Sequence, residues 1–369
     1  MNKSQLFFVE HNWNAFNVLK IRAIFLLLLI FVFSMNSLFG SNLEFVERFK
    51  LDEKETIIGY PISITVTKDD LILVSDMKMC HIKIYDNKGK LVRLLGRQGY
   101  GPQEFAKPGE FFTTNDGGFG IIDMGPRCVY FYRRIENSTD FKRSHKVNLL
   151  SGTNGIGLRG DKLYSAGYYV TDGKEYDCYS IDLKTRKIEP IMPFYEKFGL
   201  KSNREVKSRY FSELTVIGTG AYFGISGNNG YYIWEGDLRV VKINLTSKAV
   251  SYFGHKTSNY IKPEVTRELK HADESGDRRH YADIRWKMSY VHGLCVGKKH
   301  ILVVYRGPKK SEVFPFPVQF YTPEGNFETE IIISDYIPFC MFYDDEREFF
   351  YSISDEDEEH YINKYKITE

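Results

Sequence analysis

The chain has 369 residues, 43% hydrophobic and 15% aromatic, with 50 Lys and Arg against 48 Asp and Glu. That length suits two ordinary domains or one large repeat domain. The first 40 residues hold three of the basic and one of the acidic side chains, which leaves a neutral body with 47 of each. This argues against a nucleic-acid partner, since neutralising phosphates takes clustered Lys and Arg.

In chain order, Ala23–Phe33 is an unbroken apolar run with Lys20 and Arg22 before it and Gly40 and Ser41 after it. A basic flank, an apolar stretch and small residues form the pattern of a signal peptide over residues 1–40, preceded by an over-long leader. The run is short for the ~20 residues of a membrane span. Cleavage near Ser41 and residence in the periplasm or outside the cell are expected, with the membrane touched only through the leader. An uncleaved leader acting as a tether is the alternative.

Leu43–Leu51 reads as a lone alternating strand, with Leu43, Phe45, Phe49 and Leu51 on one side and Glu47 as the exception there. Then one hairpin phrase recurs. Tyr85-Asp86-Asn87-Lys88-Gly89-Lys90 returns as Ile181–Lys187, as Ile243–Lys248 and as Tyr321–Asn326. Each has an apolar residue, a turn-former and a small or flexible residue, the chemistry of a tight strand connection. A repeated hairpin over a long chain signals a repeat architecture.

Short strands group in fours around these hairpins. The first group is Ile62–Val66, Leu71–Ser75, His81–Tyr85 and Leu91–Leu95. The second is Glu110–Thr114, Phe119–Asp123, Cys128–Arg133 and Lys142–Leu149. The third is Gly155–Leu158, Leu163–Tyr169, Tyr176–Asp182 and Ile188–Pro193. The fourth is Glu213–Ile217, Ala221–Ser226, Leu238–Asn244 and Ala249–Phe253. The fifth is Tyr290–Val296, His300–Arg306, Pro317–Tyr321 and Phe327–Ile333. The sixth has only Phe339–Tyr343, Glu348–Ser354 and Tyr361–Ile367. The missing strand and the spare N-terminal strand answer each other. The reading is an all-β, six-bladed propeller over residues 41–369, in which Leu43–Leu51 pairs with Tyr361–Ile367 and closes the ring.

One stretch, residues 256–287, breaks the pattern. It is polar and partly helical, with Pro263 expected in a first helical turn near Glu264 and Glu268, and it reads as a solvated insertion between blades four and five.

The stretch from Leu91 through Gly96-Arg97-Gln98-Gly99-Tyr100-Gly101 to Glu104-Phe105-Ala106-Lys107-Pro108 resembles the NHL-repeat signature. Ile72–Asp76 and His81–Asp86 resemble that repeat's paired inner strands. Together with the leader, the chain from Leu43 onward is similar to secreted six-bladed, TolB-like propellers. That resemblance implies the fold and export but no particular activity.

Chemistry is sparse. The five cysteines are spaced too widely for a Cys-x-x-Cys site and read as small buried hydrophobes. Gly224-Ile225-Ser226-Gly227-Asn228 fails as a nucleophile elbow at its last position. His271, Asp273, Glu274, Asp277 and His280 are the densest ligand-capable group but lack a recognised metal spacing. Asp355–Glu359 lacks the Gly-bearing spacing of a calcium loop and reads as a solvated turn. No metal, cofactor or catalytic residue is expected.

Positions on or beside the innermost strands are Ser63, Thr65, Thr113, Glu213, Thr215, Ser289 and His292, a poor metal cage. The loops rimming one face offer Arg97, Tyr100, Arg127, Trp234 and Arg306, residue types that make binding hot spots. These five and His292 are the candidate binding residues. The expectation is an exported monomeric propeller without catalysis, binding a protein, small molecule or glycan at one face or in the channel. The alternative is a lactonase or lyase with its site in the channel.

Overall fold

The computed structural model describes residues 41–114, 116–136, 138–150, 153–193, 221–309, 314–333 and 340–368. The chain divides into Met1–Asn42 with Glu369, and Leu43–Thr368; the fold below is that of the second unit. Among the described residues no helix is long and apolar enough to cross a membrane.

The strands form six antiparallel sheets of four. Blade one is β2 (Pro61–Val66), β3 (Ile72–Asp76), β4 (His81–Tyr85) and β5 (Leu91–Leu95). Blade two is β6 (Pro108–Thr113), β7 (Phe119–Asp123), β8 (Cys128–Arg134) and β9 (Phe141–Asn148). Blade three is β10 (Thr153–Arg159), β11 (Lys162–Thr171), β12 (Lys174–Asp182) and β13 (Ile188–Pro193). Blade four is β14 (Ala221–Ser226), β15 (Asn229–Trp234), β16 (Val240–Asn244) and β17 (Val250–Phe253). Blade five is β18 (Tyr290–Val296), β19 (Ile301–Arg306), β20 (Phe316–Tyr321) and β21 (Phe327–Ile333). Blade six is β22 (Cys340–Asp344), β23 (Phe349–Glu356), β24 (Glu359–Thr368) and, outermost, β1 (Asn42–Lys50). The expected closure is therefore present.

The repeated hairpin joins the third and fourth strands of its blades. The Asp86 carboxylate accepts from the Lys88 and Lys90 amides, both at 2.9 Å, and Gly89 turns the chain at φ 80°. Asp182 and Asn244 accept from Lys184 and Thr185, and from Thr246 and Ser247, at 2.7–3.0 Å, with Arg186 and Lys248 at φ 62° and 60°. Gly89 is required twice over, because a Cβ there would lie 2.2 Å from the Lys50 carbonyl oxygen of β1. The Asp355–Glu359 turn is exposed, with Asp357 and Glu358 both at positive φ, the conformation of a tight hairpin.

The Gly-rich link after β5 is built around Phe105, which is fully buried. Gly96, at φ 82°, leaves room for that ring, since a Cβ would come within 2.4 Å of it. Glu104 ties the loop by accepting from the Gly101 amide at 2.8 Å and from Arg97 at 2.8 Å.

Hydrophobic clusters fill every interface between neighbouring blades. Leu73, Ile82, Phe105 and Tyr130 join blades one and two; Val129, Leu163 and Tyr179 join two and three; Ala166, Phe223 and Val241 join three and four. Ile233, Val303 and Tyr321 join four and five; Val304, Phe320 and Phe350 join five and six; Leu51, Val74 and Ile353 join six and one. All five cysteines are buried and free, and burial raises their thiols.

Three local expectations are corrected. In blade four the innermost strand is Ala221–Ser226, not Glu213–Ile217, and Asn229–Trp234 is the second. The connection is the two-residue turn Gly227-Asn228, with Gly227 at φ 58°. Glu213 and Thr215 lie outside the described residues. In the insertion, Pro263 precedes the helices. Thr266 caps α1 (Arg267–Ser275) and Asp277 caps α2 (Arg278–Trp286), each accepting an amide at its N-terminus. The insertion is also more than a solvated decoration, because Leu269, Ala272 and Ile284 form a small core with Met288 and Tyr290, against which Trp234 packs. Finally, Phe45 is 51% exposed, resting edge-on against Tyr365 at 5.7 Å rather than buried with Leu51.

Candidate functional site

The six innermost strands β2, β6, β10, β14, β18 and β22 enclose a channel cavity of about 390 Å³. Its described lining holds one carboxyl, Glu110, and one imidazole, His292, among Tyr60, Ser63, Thr65 and Tyr222. Both are aimed by the same device. The pairing of β6 with β7 slips between Pro108 and Phe111, and that of β18 with β19 slips between Val291 and Gly293. Such bulges re-aim side chains and recur beside functional sites. The bulge at Glu110 is held from blade one. The Ser75 hydroxyl donates to the Gly109 carbonyl at 2.7 Å, and the Phe111 amide donates to Ser63 Oγ at 3.3 Å.

Burial pushes the Glu110 carboxyl up to about 8. It therefore carries its proton at neutral pH, offering a donor and an acceptor rather than a charge. Burial also raises the Tyr222 phenol, helped by Glu235 and Glu110, so Tyr222 stays a donor. His292 meets Phe316 edge-on at 5.4 Å. Among the described residues Thr65 Oγ is buried without a hydrogen-bond partner.

Trp234 and Arg306 come together at one end of blades four and five, around Tyr290. The Arg306 guanidinium lies 5.3 Å from the Tyr290 ring and 4.8 Å from Phe314, and donates to the Arg285 carbonyl at 3.2 Å. Arg285 stacks 4.2 Å over Tyr290 and pairs with Glu235 at 3.3 Å. Burial, then the charge of Arg285, lowers Arg306, and its Nε is buried without a partner among the described residues. Trp234 packs against the insertion's small core instead of standing free at a rim.

The remaining three candidates do not join this group. Arg97 is exposed and paired with Glu104, and Tyr100 is 78% exposed in the link after β5. Arg127 is exposed in the β7–β8 turn at φ 51°. Strand direction puts all of these loops at the same end of the ring, but on different blades.

Three of the polar insertion residues singled out from the sequence serve helix architecture. His280 meets Glu268 at 3.2 Å, Asp273 meets Arg278 at 3.8 Å, and Asp277 is a cap. Among the described residues no three His, Cys, Asp or Glu side chains gather as a metal site.

Glu110 and Tyr222 were missed as channel residues by sequence reasoning. The alternation of Glu-Phe-Phe-Thr gives no sign that a bulge turns its first residue inward.

Over residues 35–210 the chain matches the model of the DUF5128 family, described as a 6-bladed beta-propeller. Solved structures with the same fold include a member of the DUF4221 family from Bacteroides vulgatus, 11% identical, with a TM-score of 0.62 over 89% of this chain and 99% of that one. A candidate exported protein of Bacteroides fragilis is 14% identical, with a TM-score of 0.58 over 89% and 96%. A structural-genomics protein of Bacteroides thetaiotaomicron is 13% identical, with a TM-score of 0.51 over 89% and 76%. No curated protein matches the chain in sequence.

Proposed function

We propose that the protein is exported and binds a small, neutral, polar ligand in its central channel, without catalysis of its own. The observation that supports this reading is Glu110, a carboxyl that keeps its proton to about pH 8 in a cavity of about 390 Å³. That volume falls in the ~300–1,000 Å³ range of small-ligand sites. A neutral acid beside a protonated Tyr222 suits hydroxyl groups such as those of a sugar ring, and the described lining offers an anion no Lys or Arg.

The test begins with the pH dependence of melting. An ordinary Glu ionises near 4.5, whereas the folded protein holds this proton to about 8. Across that window the folded state binds more protons, so the contribution of Glu110 to stability falls as pH rises. Glu110→Gln removes that slope. The variant is expected to gain on the parent between pH 5 and about 8 and to melt above it at the top of the range. A thermal-shift screen of neutral mono- and disaccharides should then find parent-protein shifts that Glu110→Ala abolishes. Parallel pH profiles for parent and Glu110→Gln would mean the carboxyl ionises freely, and the neutral-ligand reading would fail.

Export rests on the apolar run Ala23–Phe33 with its basic flank, and is supported by the candidate exported protein among the structural relatives. N-terminal sequencing of the exported protein is expected to start near Ser41. A start at Met1, or material confined to the cytoplasm, would overturn it.

One observation favours a second reading, a channel-sited lyase or lactonase: a neutral carboxyl and an imidazole line the same cavity, as acid–base chemistry requires. On that reading, formation of an opened lactone or an eliminated product is lost in both Glu110→Gln and His292→Ala.

A further inference from the structure

We propose a second binding site, for an acidic oligosaccharide, in the groove at the outer edge between blades one and two. This groove has a volume of about 780 Å³, twice that of the channel cavity. It runs between the Gly-rich link after β5 and the outermost strand β9. Its described lining includes Arg93, Lys142, Arg143 and Lys146, the rings of Tyr100, Tyr130 and Tyr132, and no carboxylate. That imbalance is local, because the body of the chain is neutral.

Arg143 lies at the centre of the groove's charge. Its guanidinium lies 3.7 Å over the Tyr130 ring and 5.4 Å from Phe105. Nε and Nη2 donate to the Tyr132 hydroxyl at 3.2 and 3.0 Å, and Nη2 donates to the Glu104 carbonyl at 3.3 Å. Every one of these partners is neutral. The guanidinium is therefore fixed in place without an ion-pair partner among the described residues. Lys146 shares its face of β9, with Nζ 5.8 Å from the Tyr130 ring and no ion-pair partner among the described residues, whereas Lys142, in register with Arg133, alternates to the other face. Arg93, by contrast, is already paired with Asp140.

Lysines alone on an outermost strand would be explained as guards against edge pairing. That explanation does not cover Arg143, which is partly buried on aromatic rings. A preorganised guanidinium suits a carboxylate or sulfate bidentately. The exposed face of Tyr100 suits the apolar face of a sugar ring. A ligand that carries both features is a uronate-bearing or sulfated oligosaccharide.

The test is calorimetric titration of the mature protein with a trigalacturonate and with a heparin-derived hexasaccharide, against neutral maltotriose. At least one acidic oligosaccharide is expected to bind, more weakly as salt rises and screens the charges, while maltotriose does not bind this groove. Arg143→Gln should weaken binding by about tenfold, the loss of one charge-assisted contact. Because Arg143 also supports packing, the exposed Lys146→Ala and Tyr100→Ala provide independent variants, each expected to weaken binding several-fold without changing the melting midpoint. Glu110→Gln should leave this binding intact, which separates it from the channel. No binding of either acidic oligosaccharide at low salt, or binding untouched by these variants, would overturn the proposal. So would tighter binding of a single-stranded oligonucleotide than of either saccharide.

Discussion

Asp76→Asn is expected to melt roughly 4–7 °C below the parent at pH 7, from a loss of about 3–5 kcal/mol for breaking a buried ion pair spread over ~2.1 cal/mol/K per residue. Asp76 and Lys83 are both fully buried, with Lys83 Nζ 2.7 Å from Asp76 Oδ2. Lys83 also donates to the Ile57 carbonyl at 2.8 Å. The Asp76 carboxylate further accepts the amides of Gly59, Tyr60, Lys78 and Met79 at 2.7–3.1 Å. It thereby stitches the segment entering blade one to the β3–β4 turn. Asn would turn an NH₂ group toward donors and leave the Lys83 charge without a counter-ion.

Lys83→Met in the same background should recover part of the loss, because removing both charges is far milder than stranding one. Burial opposes ionisation of Asp76, but Lys83 and the Gly59 and Met79 amides outweigh it and hold the carboxyl below its ordinary value of 3.8. The contribution is therefore complete above that value and lost as the pH falls through the lower folded-state value. If Asp76→Asn melts within a degree of the parent, the pair is dispensable and the amides alone organise the turn.

How much of this could be read beforehand depends on whether the information was local. The hairpins were legible because Asp86, Asp182 and Asn244 satisfy their own turn amides, and Gly89 and Gly325 adopt the positive φ that Gly tolerates. The closing strand was legible by counting, since blade six ran short. Blade four was misassigned because Gly227-Asn228, within Ser226-Gly227-Asn228-Asn229-Gly230, is a turn of only two residues and was not read as a hairpin, so the strand Asn229–Trp234 was overlooked. The candidate site was less legible for a different reason. Glu110 and His292 point into the channel because of bulges, and a bulge cancels the period-2 rule by which facing is inferred. Trp234 and Arg306 meet through Tyr290 under an insertion whose helices had no strong periodic signal. Arg97, Tyr100 and Arg127 share an end of the ring with them, but sharing an end does not bring side chains together.

Deleting Leu43–Leu51 is expected to have the largest effect of all, a lower melting midpoint accompanied by aggregation. In the folded ring β1 is the outermost strand of blade six, beside β24. The Leu51 amide donates to the His360 carbonyl at 2.9 Å, and the Asp52 amide donates to the Gly89 carbonyl at 2.8 Å. Segments on either side of the blade six–blade one seam are thus tied to the same short stretch. Side chains reinforce it: Arg48 lies 3.8 Å over the Tyr361 ring and pairs with Glu356 at 2.8 Å, while Glu47 pairs with Lys364 at 3.0 Å. Exposed pairs of this kind contribute only ~0–1 kcal/mol each, so the weight rests on the backbone pairing and on Leu51. That side chain is fully buried in the cluster between blades six and one. Without β1 the β24 edge is left open for pairing with other chains, and the seam loses Leu51 and Phe49 from its core. Leu51→Ala isolates the second part, with an expected loss of about 2–5 kcal/mol for a large-to-small change in a packed core and no exposed edge. The deletion should therefore aggregate where Leu51→Ala merely melts earlier. A deletion variant that stays monomeric and melts within about a degree of the parent would show that blade packing alone holds the ring, because a loss of even ~1 kcal/mol moves the midpoint further than that.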